Sequence, residues 1–233
     1  MIQKGKRSSW AWLVHFYTAS GAVLAFLAVL VTFDGRFRDA FILLIASTFV
    51  DATDGRLARW ARVKELTPGF DGARLDDIVD YLTFVFVPLL ILYRAGHLPD
   101  GWGLAVAAAV LLSSGYGFAS LDAKTDDYFF TGFPSYWNIV ALYIHAARTP
   151  PVFNGVLLLV LVALVFVRIG WVYPSRTPVL QTLTNLLGAI WAVMMLAVTY
   201  LLPDSPRWLV LSSLFFPIYY TALSLWLNAR RRR

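Results

Sequence analysis

Long apolar stretches alternate with short polar segments along the whole chain. Most of these stretches are about 20 residues long, which is the length that an α-helix needs to cross the hydrocarbon core of a bilayer. Proline and glycine gather in the segments between them, where they end helices and form turns. The pattern therefore predicts an all-α integral membrane protein, a single polytopic domain over residues 1–233, with about eight transmembrane helices at residues 12–33, 39–61, 75–93, 102–121, 135–147, 152–172, 180–202 and 208–228.

The composition agrees with a membrane protein and excludes an ordinary soluble domain. Hydrophobic residues make up 59% of the chain and charged residues only 15%, with a mean hydropathy of +0.65. The fifth predicted span, 135–147, is too short to cross a bilayer unless neighbouring helices shield it or it extends into the preceding loop. The chain has no cysteine, so disulfides and thiolate chemistry are excluded.

The basic residues predict which side of the membrane each segment faces. With an even number of spans both termini lie on one side, and that side holds fifteen of the twenty Lys and Arg residues. Because basic segments stay in the cytoplasm, we expect the termini and the polar segment 51–80 to be cytoplasmic. The net charge of +6 does not indicate nucleic-acid binding, since the basic residues lie at segment ends rather than on one binding face.

Four carboxylates stand where the second and third predicted spans meet, at a depth where ionisable side chains are costly and usually functional. Asp51 and Asp54 are three residues apart and Asp76 and Asp80 are four apart, so each pair lies on one face of a helix. So much negative charge beside hydrocarbon requires neutralising cations. Ligands that are all oxygen favour Mg²⁺ or Mn²⁺, and four aspartates could hold two such ions.

Small and basic residues accompany these aspartates. Gly55 and Gly72 leave room for a close approach, Ala58 lies one turn after Asp54, and Arg59 can offer a planar fork to phosphate. Together with the metal-binding carboxylates they predict a pyrophosphate substrate. The alternative is a set of interfacial charges at helix ends, which the spacing disfavours. Two further aspartates fall outside the pattern and are expected to be solvated or to act indirectly: Asp71 and Asp77.

The pattern D-x2-D-G-x2-A-R … G-x3-D-x3-D resembles the signature of the CDP-alcohol phosphotransferase family. Twelve residues separate the arginine from the second glycine, a longer gap than most members have, and this gap is similar to that of the bacterial phosphatidylcholine synthases. The segments 12–21 and 124–138 extend the resemblance over most of the chain. The signature is matched by Asp51, Asp54, Gly55, Ala58, Arg59, Gly72, Asp76 and Asp80.

The resemblance implies a bundle like that of this family, in which all four motif aspartates bind metal and Asp80 is also the general base. It implies that Gly55, Ala58, Arg59 and Gly72 bind the cytidine nucleotide. It further implies the reaction of CDP-diacylglycerol with choline to give phosphatidylcholine and CMP, a homodimer, and a bacterial inner-membrane location with a cytoplasmic active site.

Aromatic residues are the expected partners of the quaternary ammonium of choline, which forms no directed hydrogen bond. They crowd around two aspartates between the fourth and fifth spans, and Tyr81 directly follows Asp80. The alternative is an aromatic belt at the membrane surface. For His15 and His145 we expect packing or interfacial hydrogen bonding rather than catalysis. The choline-binding candidates are Tyr81, Asp126, Asp127, Tyr128, Tyr136 and Trp137.

Two other functions stay open at this point. The same machinery could serve glycerol 3-phosphate, an inositol phosphate or serine, although the acidic loop with Asp126 and Asp127 favours a cationic acceptor. A cation transporter could also use the aspartates. Transporters place such sites near the bilayer midplane, often between inverted repeats, whereas these aspartates lie at helix ends and the sequence shows no repeat.

Overall fold

A computed structural model describes residues 2–123, 125, 129–173 and 177–231, with side chains described from residue 9 onwards. Within these residues the fold is mostly helical, as predicted. The helices are α1 Ile2–Phe33, α2 Phe37–Trp60, α3 Val63–Leu66, α4 Gly72–Asp80, α5 Val87–Arg94, α6 Gly103–Ala119, α7 Trp137–Ala147, α8 Pro151–Phe166, α9 Gln181–Tyr200, α10 Arg207–Ser213 and α11 Phe215–Arg231.

The segment Tyr81–Phe86 is π-helical and joins α4 to α5. Two short strands, β1 Phe129–Thr131 and β2 Gly170–Val172, pair antiparallel with Phe130 opposite Trp171. The strands were not predicted. Residues 167–172 are apolar apart from Arg168 and were assigned to the sixth span, but α8 ends at Phe166 and Gly170–Val172 pairs with β1.

In the part of the chain that the structure describes, three helical stretches are long and apolar enough to cross a membrane: Ser9–Phe33, Gln181–Tyr200 and Arg207–Arg231. Helices α6, α7 and α8 are apolar but shorter. Large apolar side chains such as Phe16, Leu104 and Leu112 are about 70% exposed in the isolated chain, at 69%, 70% and 76%. An outward-facing apolar surface of this kind suits lipid and not water, as expected of a membrane protein.

Helix α1 lies against α2, α4 and α5, and its packing decides where the polar segment 51–80 sits. The largest fully buried side chains come from several helices that meet in one core: Phe41, Ile91, Leu92, Val106 and Leu158. Gly21 of α1 marks a close contact between helices, because a Cβ there would lie 2.5 Å from Val79 Cγ1 and 3.2 Å from Ser47 Oγ.

The opposite end of the bundle carries its own polar contacts. His97 Nε2 lies 2.9 Å from His145 Nδ1, and Asn154 Nδ2 donates to the carbonyl of His97 at 2.9 Å. Arg148 donates to the carbonyl of Pro203 at 2.7 Å. These contacts tie α7 and α8 to the loops at that end. His145 also packs between aromatic rings of α2, as its predicted packing role requires.

Candidate active site

Three aspartates from two helices converge at one end of the bundle. Asp51 of α2 and Asp76 and Asp80 of α4 each offer a carboxylate oxygen within 4.8 Å of the other two, and all three side chains are half-buried. A set of three carboxylate oxygens suits a hard divalent cation. The second and third predicted spans were expected to bring together carboxylates that can hold a metal ion. This prediction is confirmed for these three residues.

Asp54, the fourth aspartate of the motif, lies outside this group of three. Its side chain is only 6% exposed, and Thr18 Oγ1 of α1 donates a hydrogen bond of 2.7 Å to Asp54 Oδ2. A buried carboxylate needs such a donor, because an unpartnered one would lose the hydration that it has in water. Asp54, which follows Asp51 by one turn of α2, is therefore held by a hydrogen bond from α1.

Gly21 allows α1 to pack closely against α2 and α4, the two helices that carry the aspartates. It faces Ser47, one turn before Asp51 on α2, and Val79, the residue before Asp80 on α4. A side chain at this position would push α1 away from both helices, which carry Asp51 and Asp80. This role of Gly21 could not be predicted from the sequence, because the residues that it faces depend on how the helices pack.

Two interactions fix the start of α4, one with Asp71 directly before it and one with His15 of α1. Asp71 caps the helix, since its carboxylate accepts hydrogen bonds of 3.1 Å from the backbone N–H groups of Ala73 and Arg74. This is a structural role for a residue that we expected to be solvated or indirect. His15 packs against Gly72, where a Cβ would lie 2.8 Å from His15 Cε1, and its Nε2 lies 3.0 Å from Thr67 Oγ1.

The four residues expected to bind the nucleotide lie beside the aspartates. Gly55, Ala58 and Arg59 follow Asp54 on α2, with Arg59 exposed and its Nη1 3.5 Å from where a Gly55 Cβ would be. Gly72 begins α4. None of the four lines the cavity that contains Asp51, Asp76 and Asp80.

A cavity of about 360 Å³ opens beside the aspartates. Asp51, Asp76, Asp77 and Asp80 line it on one side, and Asp77 thus lies in the site despite falling outside the motif. The described residues of the lining also include six aromatic side chains: Phe84, Phe118, Phe130, Phe133, Tyr136 and Tyr173. The arrangement brings together carboxylates and ring faces, the two kinds of group that attract an organic cation.

The choline-binding candidates fall into three groups. Tyr136 lines the cavity. Tyr81 and Trp137 do not: the Tyr81 hydroxyl donates to the carbonyl of Leu111 at 2.9 Å, and the buried Trp137 donates from Nε1 to Ser114 Oγ at 2.7 Å. Asp126, Asp127 and Tyr128 lie outside the residues that the structure describes.

The two strands bring residues from distant parts of the chain to the cavity. Phe130 lies on β1 and Tyr173 directly follows β2, and their ring centroids are 4.7 Å apart. Phe84 and Phe118 come from the π-helical segment and α6. Phe130 and Phe133 belong to the aromatic cluster that the sequence showed, whereas Phe84, Phe118 and Tyr173 had no local signal beyond their apolar or aromatic character.

Comparison with known proteins shows that the chain is similar to the phosphatidylcholine synthases of several bacteria. The chain is 36% identical to the phosphatidylcholine synthase of Legionella pneumophila over 93% of its own length and 88% of that protein. It is 34% identical to that of Rhizobium meliloti, covering 90% and 87% of the two chains, and 36% identical to that of Pseudomonas aeruginosa, covering 94% and 92%. No protein-family model matches the chain.

Proposed function

Because this chain belongs to the phosphatidylcholine synthase family, we propose that it condenses CDP-diacylglycerol with choline, giving phosphatidylcholine and CMP. It is then a CDP-diacylglycerol–choline O-phosphatidyltransferase, an enzyme of phospholipid biosynthesis. The family likeness does not favour the alternative acceptors or the cation transporter.

The observation that carries the proposal is a shared cavity. The carboxylates of Asp51, Asp76 and Asp80 and the aromatic rings of the lining meet in it. The carboxylates fit a reaction at pyrophosphate that needs a divalent cation, and the rings fit an acceptor that carries a quaternary ammonium. An acceptor such as glycerol 3-phosphate would bring a further negative charge towards four aspartates, which Coulomb repulsion opposes.

The metal-binding residues of the proposal are Asp51, Asp76 and Asp80, with Asp54 as the fourth ligand expected from the motif. Their oxygen donors fit Mn²⁺ or Mg²⁺, and four carboxylates would suffice for two ions. When bound, the cation neutralises the pyrophosphate and stabilises the departing CMP. Thr18 supports this set by orienting the carboxylate of Asp54.

The remaining steps belong to the protein's own residues. Asp80 accepts the proton of the choline hydroxyl as its oxygen forms a bond to the phosphorus that carries diacylglycerol. The bond from that phosphorus to the bridging oxygen breaks, and CMP leaves with the electron pair. Gly55, Ala58, Arg59 and Gly72 hold the cytidine nucleotide on the neighbouring surface of α2 and α4.

The membrane placement of the proposal follows from charge and apolar length. About eight spans would cross a bacterial inner membrane, with both termini and the aspartates on the cytoplasmic side. The acyl chains of CDP-diacylglycerol would stay in the bilayer while its headgroup reaches the carboxylates. We also propose a homodimer, in line with the family resemblance, which chemical cross-linking in native membranes would test.

The function is tested by supplying the purified protein with CDP-diacylglycerol, Mn²⁺ and labelled choline. We expect a labelled lipid and one CMP per lipid formed, and no product after chelation of the metal. Parallel reactions contain serine, an inositol phosphate or glycerol 3-phosphate. Product from one of these and not from choline would contradict the acceptor, and a folded, metal-loaded protein inactive in every reaction would contradict the enzyme and call for cation-transport assays.

A further inference from the structure

The rings of Phe130 and Tyr173 lie in contact beside the paired strands. Both rings line the cavity that also contains the aspartates. Their centroids are 4.7 Å apart and their planes are inclined by 35°. Because Phe130 pairs with Trp171, Tyr173 is the diagonal neighbour of Phe130 across the strands, a separation that aromatic side chains can bridge. Both rings are half-buried, so part of their surface is available to a ligand.

Helix α11 holds this ring pair in place. Asn228 Oδ1 accepts from the N–H of Gly170 at 3.2 Å, and Ser224 Oγ accepts from the N–H of Val172 at 3.1 Å. The hydroxyl of Tyr220 donates to the carbonyl of Val172 at 2.9 Å. Three side chains from one helix thus fix the backbone of β2, and a fixed platform loses little freedom when a ligand binds.

We propose that Phe130 and Tyr173 form the ammonium subsite that selects a quaternary acceptor alcohol. The inference rests on the proposed function and adds the residues that set its acceptor specificity. A quaternary ammonium has no N–H to donate to the aspartates, so ring faces contribute to its binding more than they do for a primary ammonium. The aspartates add charge attraction, while the ring pair on the strands distinguishes the methylated cation from an unmethylated one.

This assignment divides the site between two parts of the fold. Helices α2 and α4 carry the signature residues that serve CDP-diacylglycerol and the base Asp80, whereas Phe130 on β1 and Tyr173 directly after β2 bind the ammonium of the acceptor. A change at the ring pair should therefore alter the use of choline and leave the use of CDP-diacylglycerol unchanged.

The chain contains a matched control for this pair. Tyr116 of α6 and Phe166 of α8 are also a tyrosine and a phenylalanine, with centroids 5.1 Å apart and planes inclined by 37°. Both are exposed and neither lines the cavity. The same substitutions there remove an equivalent ring contact without touching the proposed subsite.

The experiment measures KM for choline and for CDP-diacylglycerol in Phe130→Leu, Tyr173→Leu, Tyr116→Leu and Phe166→Leu. We expect KM for choline to rise roughly tenfold in each of the first two, the effect of losing one desolvated ring–cation contact. KM for CDP-diacylglycerol should not change, and the two control variants should behave as wild type. An unchanged KM for choline in both subsite variants would overturn the inference.

A measurement on the unmodified protein covers the case in which the leucine variants do not fold. Tetramethylammonium should compete with choline at least about tenfold better than methylammonium, because only ring faces favour the methylated ion. The reverse order would overturn the inference. Failure of the wild-type protein to make lipid from choline would overturn the proposed function together with this subsite, whereas normal activity with an unchanged KM in the variants overturns the subsite alone.

Discussion

Thr18 Oγ1 on α1 donates a hydrogen bond of 2.7 Å to the carboxylate of Asp54 on α2, and both side chains are buried. A hydrogen bond to a charged group contributes about 1.5–3 kcal/mol. We therefore expect Thr18→Val, which has a similar volume but no hydroxyl, to lower activity about tenfold or more and to raise the Mn²⁺ concentration needed for half-maximal rate. The measurement is initial rate against Mn²⁺ concentration.

Thr18→Ser is the control for this prediction, because it keeps the donor and removes only a methyl group. Its metal dependence should stay close to that of the wild type. If Thr18→Val also shows the wild-type metal curve, the hydrogen bond holds Asp54 for folding alone and has no influence on metal binding.

Gly21 gives a second prediction, which concerns packing. Since a Cβ at this position would lie 2.5 Å from Val79 Cγ1, Gly21→Ala forces α1 away from α4. Such overpacking typically destabilises by about 1–3 kcal/mol. We expect a lower thermal unfolding temperature in detergent together with a loss of activity, because α1 packs against the two helices that carry Asp51 and Asp80.

Two variants separate packing from helix propensity in this test. Gly115→Ala changes another helical glycine that has nothing within 4 Å of its added Cβ, and it should be neutral or slightly stabilising. The double variant Gly21→Ala with Val79→Ala removes the clashing methyl groups and should recover part of the loss. Equal effects of Gly21→Ala and Gly115→Ala would contradict the packing explanation.

The helices could be predicted from the sequence because apolar length is a local property. Each predicted span overlaps a helix, including the short 135–147, where α7 covers Trp137–Ala147. Residues 167–172 could not be assigned in this way. Apart from Arg168 they continue the apolar run of α8, and contacts with distant partners, among them β1 at Phe129–Thr131 and α11 at Ser224, hold Gly170–Val172 as a strand.

In the candidate site, too, local spacing could be predicted from the sequence, whereas contacts between distant residues could not. Helical spacing was enough to predict that Asp76 and Asp80 share a face, which meets Asp51 of α2. It could not show that Asp54 turns to Thr18, since that contact depends on how α1 packs. Phe84, Phe118 and Tyr173 resemble any other aromatic residue in an apolar chain until the fold places them in one cavity.

The pair of His97 and His145 predicts a dependence of stability on pH. Burial lowers the pKa of His97 below its ordinary value of 6.5. The unfolded chain therefore takes up a proton near pH 6.5 that the folded protein resists. Stability should be full above about pH 6.5 and fall as the pH drops towards the lowered pKa, which thermal unfolding between pH 8 and 5 would measure.

To isolate the contribution of His97, the slope of the unfolding temperature against pH is compared between His97→Asn and the wild type. Asparagine keeps a polar side chain but does not titrate, so the variant should lose part of the acid sensitivity even if it is less stable at every pH. A slope equal to that of the wild type would assign the acid sensitivity to other groups.

Asp80 is proposed to serve both as a metal ligand and as the general base, and the two roles predict different responses to substitution. Asp80→Asn keeps the size of the side chain but cannot take a proton, so we expect the rate to fall about 10²–10⁴-fold, the usual contribution of a general base. Asp76→Asn, the matched change at a residue proposed only as a ligand, should lose activity that excess Mn²⁺ partly restores.

The measurement is CMP release at saturating choline over a range of Mn²⁺ concentrations, with binding of CDP-diacylglycerol confirmed for each folded variant. Asp80→Asn should stay inactive at every metal concentration because its defect lies in proton transfer. Recovery of Asp80→Asn by excess Mn²⁺ to the same extent as Asp76→Asn would make Asp80 a ligand alone and assign the base to another group. Asp77, the remaining carboxylate of the cavity, would then be the residue to change.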